Sequence, residues 1–348
     1  MKGNRILEVN CMDTSTHITM GFGLAGLAFI DPAVAAQPEL ASAVLIGTVL
    51  GSNAPDFDYG IRLFKGNGMY TEHHRGLSHS IPAWFMWTGL LTAIIYLFHF
   101  NLTALELIHL SGWICLAVMM HVMFDIFNAY GTQVARPFTK KWLSLNFIPL
   151  FDPLIVFLHL LGFALWGLTG DPGLVFLFIY LIVVLYLLER FFSSRRVLAM
   201  VKKELGRDES ITIIPTVRWS VWHIVSETDS SFDVGELRNK ELTWIHTFEK
   251  SDRDAYVIDK VKKDKNVGHF LKNSKHVHTV VLPIPSGYEI RFFDLRFRTK
   301  NHYPYMAVCQ MTKNGLILGS CTGWFHHANQ FKNKLIPHEN AGKNQLEA

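Results

Sequence analysis

The chain has 348 residues, 49% of them hydrophobic and 18% charged, with a formal net charge of +4 and a mean hydropathy of +0.19. Soluble domains usually carry about 25% charged residues, so the balance leans toward the membrane. The four cysteines, Cys11, Cys115, Cys309 and Cys321, form no C-x-x-C pair, which excludes a disulfide framework and a zinc knuckle and indicates free thiols in a reducing compartment.

The charge is divided unevenly. Residues 1–190 hold 9 Lys+Arg against 12 Asp+Glu, and residues 191–348 hold 24 against 17. A slightly acidic apolar part is followed by a basic polar part, and the length allows two units. Met1 to Asp13 is polar and lacks an apolar core followed by a small-residue cleavage site, so no cleaved signal peptide is expected.

Two short apolar runs come first, Ile18–Ile30 and Leu40–Leu50, separated by Asp31-Pro32 and Pro38. They read as two short spans joined by a tight turn, as a re-entrant hairpin, or as two buried helices of a soluble domain. Four longer runs follow, at Ile81–Phe100, Leu105–Phe127, Leu150–Leu168 and Gly173–Leu188, each near the roughly 20 residues that cross a bilayer. The basic residues Lys2 and Arg5, Arg62, Lys65 and Arg75, Arg136, Lys140 and Lys141, and Arg190, Arg195, Arg196, Lys202 and Lys203 fall in alternate loops. The opposite loops hold Asp31, Glu39, the Asn101–Ala104 tip and Asp171. The positive-inside rule then puts both termini in the cytoplasm of a multi-pass protein of the cell membrane. The expected fold is an α-helical polytopic bundle of four to six spans over residues 1–190, followed by a small α+β domain in the cytoplasm.

Residues 191–209 read as a basic juxtamembrane helix that rests on anionic lipid. Across 210–326, strands are expected at Ile211–Val217, Trp219–Ser226, Thr279–Pro283, Tyr288–Arg298, Tyr305–Met311 and Leu316–Ser320, with a hairpin at Asn314-Gly315 and a helix over Asp252–Lys263. Residues 327–348 read as a polar tail.

Ionisable groups within apolar spans cost about 2.5–3.5 kcal/mol each on insertion scales, and here they are grouped. His17 opens the first run. Asn53, Asp56 and Asp58 close the second, and His73-His74-Arg75-Gly76-Leu77-Ser78-His79-Ser80 leads into the third. His121 and Asp125 lie near the end of the fourth run, and Asp152-Pro153 opens the fifth. On the loop-charge topology all of them lie at the cytoplasmic ends of the spans. His121 and Asp125, four apart on a helix, point from one face. Asp56 and Asp58 flank one aromatic in a turn started by Pro55. Imidazole nitrogen with carboxylate oxygen and no thiolate suits zinc, manganese or iron, and the set is large enough for two ions. Arg75, between His74 and His79, is placed to hold a phosphate or carboxylate bidentately.

Each residue also has a structural reading. His17 can cap or sit at the interface. Asp56 and Asp58 can belong to a turn, and His73 can face solvent. Asp152 can be an N-cap with Pro153 behind it, and His121 with Asp125 can be a hydrogen-bonded pair. His99 and His109 fall near the opposite face, and His159 is mid-span with no assigned role.

Histidine near the N-terminus, Pro-Asp-x-Asp, His-Arg-Gly-x-Ser-His-Ser, His-x-x-x-Asp-x-x-Asn-x-Tyr-Gly and a later Asp-Pro together resemble the LexA-regulated, membrane-bound metal-dependent hydrolase family, in its YfhP-like form. The resemblance covers roughly residues 12–190. It implies a helical membrane protein, a divalent metal and a hydrolase activity related to zinc phospholipase C-like enzymes. By motif it implies His17, Asp56, Asp58, His74, His79, His121, Asp125 and Asp152 as site residues; Ser78 stands where that motif more usually has Thr.

The expected function is hydrolysis of an ester or phosphoester at the cytoplasmic membrane face, on a phospholipid or lipid-linked phosphate. His17, Asp56, Asp58, His74, His79, His121 and Asp125 would hold one or two zinc-like ions. Asp58 or Asp152 would serve as base, and Arg75 would steady the substrate anion. Two rivals stand beside it. The chain could instead be a membrane-anchored regulator whose basic C-terminal domain, with its excess of seven positive charges, affects transcription or binds a cytoplasmic protein or nucleic acid, with Trp219, Trp222 and Trp244 in the core or at the contact. Alternatively the chain could transport a metal or ion, although the ligands gather at one face and do not line a track.

Overall fold

The computed structural model describes residues 11–59, 75–98, 101–206, 210–250, 254–299, 302–325 and 336–337. Contacts divide the chain into two units. The first holds residues 1–57, 75–197 and 215–219, and the second holds residues 58–74, 198–214 and 220–348.

The first unit is helical: α1 (Cys11–Leu27), α2 (Pro32–Ala36), α3 (Pro38–Gly51), α4 (Ile81–Tyr96), α5 (Ala104–Phe127), α6 (Pro153–Thr169) and α7 (Pro172–Leu205). Local signals set the boundaries. Asp31 accepts from Ala33 N, and Pro32 follows it at the first helical position. Thr103 and Glu106 form a reciprocal capping box at the start of α5. Asp152 caps α6, which ends on left-handed Gly170. Each device satisfies amides or carbonyls that a helix end would leave bare.

Of these helices, α5 and α7 are long and apolar enough to cross a membrane; α1, α3, α4 and α6 supply apolar stretches of 10–17 residues. With 24 residues, α5 is about 36 Å long. The span and the basic helix after it form one α7 of 34 residues, about 51 Å in length, because no Gly or Pro interrupts the chain from Leu174 to Leu205. One core cluster joins α3, α4 and α5 through Leu40, Val44, Leu91, Ile95, Leu110 and Ile114. A second joins Met20, Phe124, Ile155, Phe176 and Ile179. His159, buried mid-helix, hydrogen-bonds Ile155 O (2.8 Å) and approaches Tyr180 Oη (3.3 Å), whose hydroxyl donates to Met20 O. It ties α6 to α7 and α1.

The second unit is α/β, with two antiparallel sheets. One runs β1 (Ser210–Pro215), β2 (Val221–Glu227), β3 (Ser231–Arg238), β4 (Glu241–Glu249). The other runs β5 (Val277–Ile284), β6 (Gly287–Asp294), β7 (Tyr305–Thr312), β8 (Ile317–Trp324), β9 (Ile336–Pro337). Helices α8 (Ala255–Val261) and α9 (Lys265–Asn273) lie between them in sequence. α9 packs on the second sheet, with Asn266 Nδ2 donating to Ser320 Oγ (2.9 Å) and Phe270 beside Tyr305. The Asn314-Gly315 turn joins β7 and β8 as expected, with Gly315 at φ 87°.

Several elements of this unit depart from expectation, α9 and β9 among them. No strand is expected from the sequence at the positions of β3 and β4. β3 carries Asp233, Glu236 and Arg238 on its open positions and a bulge at Val234/Gly235 that interrupts its alternation. β4 is open to solvent on both faces. Their turn, Asn239-Lys240, holds both residues at positive φ (50° and 73°), the backbone of a two-residue hairpin without the usual glycine. The strand expected over Tyr288–Arg298 stops at Asp294, where Arg296 folds back onto the Asp294 carboxylate. Trp222 is core, while Trp219 and Trp244 are exposed.

Candidate metal centre

Four side chains from three separate segments meet inside the helical unit. Asp56 comes from a 3-10 turn over Ala54–Tyr59, after α3, and His79 from another at Leu77–His79, before α4. His121 and Asp125 come from the last turns of α5, one helical turn apart. One ligand atom from each lies within 4.8 Å of all the others.

The orientation of the rings shows which atoms face inward. His121 Nδ1 lies 2.7 Å from Ser52 O. A carbonyl only accepts, so Nδ1 carries the proton and Nε2 presents its lone pair to the cluster. His79 Nδ1 is 2.9 Å from Ser78 Oγ, which leaves its Nε2 directed the same way. Around these nitrogens, His79 Nε2 is 3.2 Å from His121 Nε2, 3.2 Å from Asp125 Oδ2 and 3.4 Å from Asp56 Oδ1. His121 Nε2 is 3.6 Å from both Asp56 Oδ1 and Asp125 Oδ2. Bonds of about 2.0–2.1 Å to a tetrahedral cation separate ligand atoms by about 3.3–3.4 Å. Neighbouring ligands of an octahedral ion with bonds of the same length sit about 2.8–3.0 Å apart. Five of the six edges therefore bracket the tetrahedral value, and the donor set can hold a divalent cation.

Burial makes the arrangement costly without a cation. His79, His121 and Asp125 are fully buried, and only the Asp56 side chain, 24% exposed, reaches the surface. Burial by itself disfavours an imidazolium at His79, but hydrogen bonds to Asp125 and Asp56 and the charge of Asp125 outweigh it and raise the His79 pKa. The pocket of carboxylates thus favours positive charge at that point, which a metal ion would also supply.

The other expected residues are placed as follows. His17, buried in the N-terminal half of α1, stacks on His121 with ring centroids 3.9 Å apart, and its Nε2 is 3.9 Å from Asp125 Oδ1. It adjoins the four-residue cluster without being one of its members. Arg75 was expected as a loop charge and anion clamp. The structure buries it, with Nη2 2.8 Å from Asp125 Oδ1 and Nη1 3.3 Å from Asn128 Oδ1. Asp152 is the α6 cap: Oδ1 accepts from Leu154 N and Ile155 N, and Oδ2 accepts the Tyr186 hydroxyl at 2.5 Å. The cap reading holds for this residue, with Oδ1 engaged by the helix amides. Asp152 and His17 share a cleft with Phe124, Asn128 and Ile148, with a volume of about 10 Å³, room for roughly one water. His74, His73 and His99 lie outside the described residues, as does the Asp58 side chain and most of the 327–348 tail.

Asn128 was quoted in a motif but given no role. Its Oδ1 accepts from Tyr130 N (2.9 Å) and Gly131 N (3.3 Å) as well as from Arg75. The signal was the Asn-x-Tyr-Gly turn after a ligand helix, since Asn is a residue that accepts from its own backbone two residues on. The Ser52 carbonyl that sets the His121 tautomer leaves no sequence signal, because any residue supplies a carbonyl.

Residues 12–197 match the YdjM inner membrane protein family, residues 208–248 the YfhP middle domain, and residues 256–335 the YfhP C-terminal alpha/beta plait domain. A Bacillus subtilis (strain 168) protein, described as uncharacterized protein YfhP, is 40% identical over 326 residues, covering 93% of this chain and 98% of its own. The chain belongs to the YfhP family. Like the YdjM proteins whose pattern it carries, this YfhP-family chain is a membrane protein, and the YdjM match spans every residue of the cluster. The match bears out the YfhP-like resemblance and names neither regulation by LexA nor a hydrolytic activity. No solved structure matches the chain.

Proposed function

We propose that this chain is a multi-pass, membrane-bound hydrolase that uses a divalent cation, zinc by the edge lengths of its donor set, to cleave an ester or phosphoester of an amphiphilic substrate. One observation carries the reading: four buried His and Asp ligand atoms lie at tetrahedral separations, with a single partly exposed member. A zinc-like ion there would supply Lewis acidity and a nucleophile from water near neutral pH.

The residues of the chain do the rest. His79, His121 and Asp125 would hold the cation from inside, and Arg75 holds the outer oxygen of Asp125 so that its inner oxygen points at the site. Asp56 forms the open side, through which water and substrate enter. Beside it Phe57, 47% exposed, stands edge-on to Trp87, and this aromatic rim suits the hydrocarbon of a phospholipid or lipid-linked phosphate. By motif, Asp58 and His74 are the proposed ligands of a second ion, with Asp58 as base. The apolar helices present Phe85, Met86, Phe157, Leu160, Phe178 and Leu185 outward. This belt supports four to six spans, with the basic loops and both termini in the cytoplasm. Among the described residues only one such cluster converges, which favours a fixed site over an ion path.

The test is metal analysis of detergent-purified protein, wild type beside His121→Ala and Asp56→Ala, with phosphodiester and phospholipid hydrolysis assayed on the same samples. Near-stoichiometric metal in wild type, lost at least roughly tenfold in both variants together with hydrolysis, is the expected result. Wild type that takes up no zinc, manganese or iron on reconstitution overturns the proposal.

A further inference from the structure

The segment between α5 and α6 folds back on itself and carries a bare aromatic at its tip. Thr132 and Leu143 exchange both backbone hydrogen bonds (3.0 and 2.9 Å), and Gln133 Nε2 donates to Lys140 O (2.7 Å). Arg136 N donates to Gln133 O, and Thr139 N to Ala135 O. The loop is thus internally braced. Its tip is Pro137-Phe138-Thr139-Lys140-Lys141, and Phe138 is 91% exposed, more than any other large apolar side chain among the described residues. Lys140 and Lys141 beside it are also exposed, and Leu143 is 45% exposed.

Removing a Phe ring from water is favourable, so a braced loop that displays one invites a cover. Two observations indicate which cover. The base of the loop is hydrogen-bonded to the metal-site end of the bundle, Gln133 N to Arg75 O (2.9 Å) and Ile81 N to Val134 O (3.0 Å). Ile81 begins α4, whose outward Ile81, Phe85 and Met86 are 46–66% exposed, so the loop continues an apolar helix face of a membrane protein. The charge beside the ring is wholly basic. A Phe flanked by two lysines places an apolar group at the acyl boundary and ammonium groups at phosphate level, and each basic residue near an anionic leaflet adds to the attraction.

We propose that residues 136–143 form an interfacial anchor that inserts Phe138 into a leaflet containing anionic phospholipid, with Lys140 and Lys141 on its phosphates. The anchor holds the Arg75 segment, and with it the metal-site end of the bundle, at the lipid surface. It rests on the membrane assignment alone and not on the hydrolase reading.

The test uses full-length protein in nanodiscs of phosphatidylcholine with phosphatidylglycerol. A nitroxide is placed at Phe138→Cys, labelled wild type supplies the background from native cysteines, and collisions with oxygen and with a water-soluble nickel chelate are compared. The expected result is oxygen access with the chelate shut out, and a shift toward the chelate when Lys140→Glu and Lys141→Glu are added. A label open to the chelate in the parent variant overturns the proposal, and so does one shielded from both reagents, which would mean a protein covers the tip. Metal content of the same samples reports separately on the site.

Discussion

Asp125 divides its two oxygens between opposite tasks. Oδ2 faces the two imidazoles, while Oδ1 meets the Arg75 guanidinium at 2.8 Å. A fully buried carboxylate without a counter-charge costs several kcal/mol, so Arg75 makes the buried ligand tolerable as well as aiming it. Arg75 does this from a left-handed backbone, φ 62°, uncommon for a non-glycine residue and costing on the order of 1–3 kcal/mol. Arg75→Ala is expected to weaken metal binding by about 10–100-fold, the usual scale for outer partners of a ligand. Arg75→Lys should recover only part of it, because an ammonium lacks the fork that reaches both Asp125 and Asn128. Competition with a chromogenic chelator measures both. The pairing of His121 with Asp125 was legible from a spacing of four. The partner of Arg75 was not, since Asp125 lies 50 residues away and the charge of a loop arginine reads equally well as a substrate clamp.

At the scale of the elements, α5 works as a spacer between two polar ends. Near its start His109 Nδ1 meets Asp31 Oδ2 at 2.6 Å, and Trp113 Nε1 joins at 3.2 Å. Sixteen residues after His109, about 24 Å along the helix, Asp125 reaches the metal cluster. Loop charge alone had already assigned Asp31 and His109 to the end opposite the ligands. Helix approach is set by small residues. A Cβ on Gly21 of α1 would meet Ser52 Oγ, lie 2.8 Å from Val49 Cα and lie 3.0 Å from Thr48 O, and backbone at that range cannot give way. Gly21→Val is expected to push α1 off α3 and cost about 1–3 kcal/mol, seen as a lower thermal midpoint in detergent. Gly112→Ala, with nothing within 4 Å, should leave the midpoint unchanged or raise it.

Across the whole chain, the two units differ in what holds them together. The helical unit relies on apolar clusters, whereas the α/β unit joins its sheets through part-buried polar ties. Thr212 Oγ1 is 2.7 Å from His276 Nε2, and His276 Nδ1 is 3.1 Å from Glu227 Oε2, which also takes Lys250 Nζ at 2.9 Å. Arg298 reaches Glu236 across the same unit. Burial lowers the His276 pKa, with Arg296 adding to it against Glu227 and Asp294. Burial and Arg298 push His223 down to about 4. Both histidines are therefore held neutral in the fold. Their contribution to stability is complete above the unfolded value of about 6.5 and is lost as pH falls through the folded values. Full-length protein should show a cooperative loss of β-structure by circular dichroism on acidification from pH 7 toward 4, and His276→Gln together with His223→Gln should flatten that dependence. An unchanged pH profile in the double variant would refute this account.

Apolar runs and the Asn314-Gly315 turn were determined by the sequence alone, because each depends on residues within a few positions of one another. The tertiary structure decided the rest. It separated Asp56, His79, His121 and Asp125, which converge, from Asp152, which caps a helix. It turned Arg75 inward, found β3 and β4 by pairing each with its neighbour, and left Phe138 uncovered. All of these depend on which distant segments come into contact, and a linear pattern carries no distances between them.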